Sequence, residues 1–174
     1  GWEDPYSKSA FSERQGRYSR ALGVDTYTPQ IVVNGQQALV GSRASQVRDA
    51  IESALAEPAS VDVSLGVGTG TDSLAVTYRL ADAPPEDATL RLAVVERGLS
   101  QEVTRGENAG RTLRHANVVR AFETVPARPS GSVEIALPAA VDRTEASIIG
   151  YVQAPSLAVL GAARVDLRGV KRDA

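Results

Sequence analysis

From Val61 onward the apolar residues fall on every second position. Val61, Val63, Leu65 and Val67 alternate with polar partners. Leu74, Val76, Tyr78 and Leu80 do the same, followed by Leu90, Leu92 and Val94, and later by Val133, Ile135 and Leu137. A period of two puts one set of side chains on one face of a strand and the other set on the opposite face, which no helix can do. Short runs of this kind, punctuated by Gly and Pro, predict an antiparallel sandwich or barrel. Ala146 to Gln153 and Leu157 to Leu167 predict a closing hairpin that turns at Ala154-Pro155-Ser156. Gly66-Val67-Gly68-Thr69-Gly70-Thr71 reads as a turn between two strands. The third glycine of a dinucleotide fingerprint falls on Thr71, and no helix opens there.

Before Pro58 the period is that of a helix. Phe11, Tyr18, Ala21 and Leu22 recur at helical spacing, with Ser7 or Ser9 as the expected N-cap and Gly23 as the expected left-handed C-cap. Gln30-Ile31-Val32-Val33 predicts a strand, Asn34-Gly35 a tight turn, and Gln37 to Val40 its partner. A second helix is expected after Ser42, with Val47, Ile51, Ala54 and Leu55 as its apolar stripe, and Pro58 ends it. These residues therefore predict an α+β chain: helix, strand, strand, helix over residues 1–57, then an antiparallel β-sandwich over residues 58–174.

Composition narrows the chemistry. The 174 residues carry 19 Lys plus Arg and 21 Asp plus Glu, a formal charge of −2, without the basic excess of a dedicated nucleic-acid binder. No apolar run approaches the ~20 residues that span a bilayer. Cys is absent, which removes disulfides, thiolate nucleophiles and thiolate metal ligands from this stretch of chain. With a single histidine and no cluster of ligand residues, neither a metal site nor a cofactor is implied. The chain opens at Gly1 and contains no Met, so its first residue is expected to be a processed end or the edge of a fragment.

No catalytic residue is singled out. The pairs Glu3-Asp4 and Glu86-Asp87 are expected in loops, and adjacent carboxylates rarely face one cleft. Lys8, Arg14, Arg17 and Arg20 read as a solvated helix face, and His115 as a surface or half-buried strand residue. Two binding candidates remain. Arg105 and Arg111 bracket a glycine-bearing loop and, with Arg114, His115 and Arg120, have the charge to take a carboxylate or phosphate. The same loop also reads as a polar connection in which Glu107 neutralises an arginine. The second candidate is Tyr27-Thr28-Pro29. As residues alone, these read as a proline at the start of a strand.

Gly1-Trp2-Glu3-Asp4-Pro5-Tyr6, Tyr18 to Gly23 and Tyr27 to Gly35, together with Arg105 to Leu113 and Asn117 to Arg120, resemble family 1223 of the domains of unknown function. That resemblance implies a secreted or periplasmic bacterial protein whose first part is the distal half of a thioredoxin-like fold. It further implies that Thr28-Pro29 is cis and, with Tyr27, forms one wall of a peptide groove. Thiol–disulfide exchange needs a thiolate, and this chain has none. The expected function is that of a catalytically silent fragment of a thiol- or peptide-handling parent. The alternative is a non-catalytic module that binds a peptide or an envelope protein through the β-sandwich. An independent hydrolase using His115 is the third and remotest reading.

Overall fold

A computed structural model of the chain describes residues 4–106 and 109–170. Its elements run α1 (Ser9–Leu22), β1 (Gln30–Val33), β2 (Gln37–Val40), α2 (Ala44–Ala56), β3 (Val63–Thr69), β4 (Ser73–Leu80), β5 (Thr89–Glu96), β6 (Leu99–Glu102), β7 (Thr112–His115), β8 (Val118–Pro126), β9 (Ser130–Ala136), β10 (Ala146–Gln153) and β11 (Val159–Asp166). Neither helix is long and apolar enough to cross a membrane, a statement that does not extend to strands.

The alternating runs build two antiparallel sheets, β3-β4-β9 and β11-β10-β5-β8. Their inner faces share one core. Leu74 and Val76 of β4 and Ile135 of β9 meet Leu90, Leu92 and Val94 of β5 and Ile148 and Val152 of β10. Deleting such side chains typically costs about 2–5 kcal/mol each, which makes this core the main source of stability. β5 is buried on both faces, because its outward residues Arg91, Ala93 and Val95 are covered as well. Part of that cover is α1 and the segment leading into it. Lys8 Nζ lies 3.5 Å from the Arg120 carbonyl, and the Phe11 ring stands edge-on to Phe122 at 6.5 Å.

The β1–β2 hairpin forms where Asn34-Gly35 predicts it. Both turn residues have positive φ, 48° and 72°, and Ile31 pairs with Leu39. The hairpin docks on the β10–β11 turn: the Val159 amide donates to the Asn34 carbonyl at 2.8 Å, and a Cβ on Gly35 would lie 1.8 Å from the Leu157 carbonyl oxygen. Glycine is therefore required there by space as well as by φ.

The expectation that the first part of the α+β chain is a thioredoxin-like half is corrected here. The described chain is mostly β, with eleven strands and two helices. Among the described residues β1 and β2 form a sheet of their own that joins no further strand. α1 touches the β1–β2 sheet, where Gln15 Nε2 donates to Gln30 Oε1 at 2.8 Å, but its Phe11 and Arg14 also lie on Phe122 and Tyr151 of the sandwich. Four-residue strands flanked by helices fit many folds, and here Phe11 and Arg14 of the first helix turn to Phe122 and Tyr151 of the sandwich.

Smaller corrections follow the same logic. Lys8 and Arg43, not serines, precede the helices, and neither makes a side-chain cap. Gly23 does cap α1 in the left-handed conformation, at φ 64°. On α2 the buried residue is Ala50, while Ile51 and Leu55 of the expected stripe are 43% and 79% exposed. Gly66 and Gly68 lie within β3, so the turn there is confined to Gly70 and its successors. β7 holds His115, which was expected on a strand, whereas β6 and β8 were not expected.

Candidate binding groove

Register on the outer face of the four-stranded sheet sets Tyr151, Arg91 and Thr124 in one row, and Ile149, Ala93 and Phe122 in the next. α1 crosses these rows. Arg14 and Tyr18 are one helical turn apart and so project together. Arg14 Nη2 donates to the Tyr18 hydroxyl at 2.6 Å and to the Tyr151 hydroxyl at 2.7 Å. Its guanidinium also stacks over the rings of Tyr18 and Phe122, 4.9 and 5.3 Å from their centroids. Gln153 Nε2 donates to the same Tyr18 oxygen at 2.8 Å and to the Leu157 carbonyl at 2.7 Å. Burial pushes the Tyr151 phenol above its ordinary pKa of 10.0, against the pull of Arg14. The helix is thus held by polar and cation–π contacts as well as apolar ones.

Arg91 lies at the floor of this arrangement, only 8% exposed. Its Nη1 donates to the Thr124 hydroxyl at 2.7 Å, a neutral partner, and its Nε finds no acceptor among the described residues. Burial, and then the neighbouring Arg14, lower its pKa. Arg91, Arg14, Arg17 and Lys8 line a cleft of about 330 Å³ walled by Phe11 and Phe122. Glu13 is the one acidic side chain on its rim, and among the described residues no ion pair involves Arg14, Arg17 or Arg91.

A second, shallower cleft of about 470 Å³ adjoins the first and shares Phe11 and Arg14 with it. Thr28, Pro29, Gln30 and Val32 form its far side, and the Thr28–Pro29 bond is cis. Tyr27 is half-buried and does not line the cleft. Its carbonyl accepts from Gln15 Nε2 at 3.0 Å, which ties α1 to the loop before β1.

Arg105 and Arg111 are exposed on the β6–β7 hairpin, away from these clefts. Glu107, the expected neutraliser, lies outside the described residues, as do Glu3 and the opening residues 1–3 of the family-like run. Arg120 does not join the hairpin's arginines. It pairs with the buried carboxylate of Glu96, which also accepts from the Asp142 amide at 3.0 Å. His115 is half-buried on β7 with its ring edge-on to Tyr6 at 5.3 Å. Among the described residues no three His, Asp or Glu side chains gather as metal ligands.

The solvated-face reading of α1 is corrected for Arg14, which is half-buried against the sheet, while Arg17 stays exposed at the cleft mouth. The sequence reading passed over Arg91, Phe122 and Tyr151 altogether. The available signal was an arginine inside the otherwise apolar run Leu90 to Val95.

A family model described as "Protein of unknown function (DUF1223)" matches residues 1–153. Among solved structures, protein AGR_C_4864 from Agrobacterium tumefaciens is similar over 100% of this chain and 78% of its own, at 22% identity and a TM-score of 0.68, which establishes a shared fold. A β-glucuronidase from Ruminococcus gnavus aligns with 60% of this chain and 15% of its own at 12% identity, with a TM-score of 0.30. A β-glucosidase from Kluyveromyces marxianus aligns with 62% and 14% at 16% identity, with a TM-score of 0.29. Neither likeness is close enough to carry an argument. No curated protein matches the sequence.

Proposed function

The chain belongs to the family described as "Protein of unknown function (DUF1223)", and from that premise we propose that it is a non-catalytic binding module that takes an extended segment of a partner protein along α1, across the cleft it forms with the four-stranded sheet and the one it forms with Thr28, Pro29 and β1. One observation carries the reading: two open clefts run together through Phe11 and Arg14, from Thr28 and Pro29 at one end to Arg91 at the other. An open, elongated groove walled by aromatic rings and edged with unpaired donors suits a peptide segment better than an enclosed small substrate. The chemistry on hand points the same way, since the groove offers guanidiniums, phenols and amides but no thiol, histidine or carboxylate pair at its floor. A secreted or periplasmic setting, with an envelope protein as the partner, is part of the proposal and rests on the family resemblance alone.

Random heptapeptides displayed on phage and panned on the full chain test it, with selected sequences resynthesised and measured by fluorescence anisotropy. Bound peptides should lose about fivefold or more in affinity to Thr28→Lys, which adds bulk to the exposed groove wall, and nothing to Arg79→Ala on the opposite sheet. Peptides that ignore Thr28→Lys and respond to Arg79→Ala would move the binding face elsewhere.

A further inference from the structure

We propose that the Arg91 end of the groove is a carboxylate subsite, in which Arg91, Arg14 and Arg17 receive the acid group of the bound segment. The inference rests on the groove reading and adds the chemistry of what enters it.

A guanidinium is seldom buried without a carboxylate, because desolvating the charge must be offset by an opposite one or by a full set of acceptors. Arg91 is 8% exposed and has neither: one nitrogen meets a threonine hydroxyl, and Nε meets nothing among the described residues. The surroundings add to the imbalance. Arg14 sits beside it with its Nη2 committed to two phenols, Arg17 and Lys8 edge the mouth, and Glu13 on the rim pairs with none of them. Like charges drawn together around a cleft raise the free energy of the empty state, and an entering anion relieves it. The lowered pKa of Arg91 has the same origin, burial first and Arg14 next.

Arg14 is accounted for without a ligand, since its stacking and phenol contacts dock α1. Arg91 is different: among the described residues its hydrogen bond goes to Thr124 on the neighbouring strand and not to α1. Its planar fork suits a carboxylate held by two nitrogens. The cleft of about 330 Å³ is near the lower end of ligand pockets, with room for a chain end or an acidic side chain. Phe11 and Phe122 give the cleft apolar walls beside the guanidiniums.

The test uses the full chain and alanine-rich pentapeptides with an uncharged BODIPY label at the N-terminus. One ends in a free carboxylate, one in an amide, and one in an amide with a single internal Asp. At least one acid-bearing peptide should bind about tenfold tighter than the neutral amide. The identity of the tighter one distinguishes a terminal from a side-chain carboxylate. The preference should fall to about twofold or less in Arg17→Ala, an exposed position that leaves folding intact, and in Arg91→Gln if that variant keeps its melting transition. A neutral amide that binds as tightly as both acids overturns the carboxylate subsite and leaves the groove standing. Stronger competition by inorganic phosphate than by acetate overturns the carboxylate assignment in favour of a phosphate site. Absence of binding by every peptide overturns subsite and groove together.

Discussion

Arg14 on α1 and Tyr151 on β10 are 137 positions apart in sequence and 2.7 Å apart in space. This contact fixes where the helix crosses the sandwich and therefore where the groove opens. It joins a segment read from a 3.6-residue period to one read as the first strand of a closing hairpin.

Removing the Tyr151 hydroxyl should loosen that junction without unfolding the sandwich. Tyr151→Phe keeps the ring under Arg14 and leaves Arg14 its bond to Tyr18. A loss of about 1 kcal/mol is expected from the urea midpoint. Amide exchange should quicken along α1 and not along β4.

Alkaline titration gives a second reading of the same residue. The Tyr151 phenol is held above 10.0 chiefly by burial. A raised folded-state value means that its contribution to stability is complete below pH 10 and is lost as pH rises through the shifted value. Ultraviolet titration of the five tyrosines should show a late-ionising component that disappears in Tyr151→Phe.

Glu96 and Arg120 form the buried ion pair of the sandwich, with side chains 3% and 15% exposed. Glu96→Ala leaves Arg120 uncompensated and the Asp142 amide without its acceptor. Such single removals cost about 3–5 kcal/mol. The double variant Glu96→Leu, Arg120→Leu should recover part of that loss in chemical denaturation, because both charges leave together.

Gly35→Ala tests the docking of the hairpin. The φ of 72° disfavours any side chain, and the new Cβ would meet the Leu157 carbonyl oxygen at 1.8 Å. A loss of about 2 kcal/mol or more is expected. Its specific mark is lost exchange protection at the Val159 amide, which donates to Asn34.

The sandwich was legible because a half-buried strand writes its inner face into alternate positions, as Leu74, Val76, Tyr78 and Leu80 do. The hairpin was legible because Asn34 and Gly35 tolerate positive φ. β8 was not, since Val118 to Phe122 are all half-buried and carry no alternation. The family resemblance supplied the cis bond at Pro29 and the family, but its thioredoxin-like half did not survive, because helical periodicity states that α1 has an apolar face and not which sheet receives it. The groove was hidden for the same reason. Arg14 is indistinguishable from Arg17 and Arg20 until the outer face of β5 is placed beneath it. On β5, Arg91 shares its side of the strand with Ala93 and Val95, and the run does not say what covers that side.

Side-chain nitrogen-edited NMR of the arginine Nε–H groups addresses the central claim most directly. On titration with an acid-bearing peptide that binds the full chain, the account predicts that the resonances of Arg91, Arg14 and Arg17 shift together and saturate at one affinity, while Arg79 and Arg111 stay still. Saturable binding that leaves the first three unmoved and shifts Arg79 or Arg111 would contradict it.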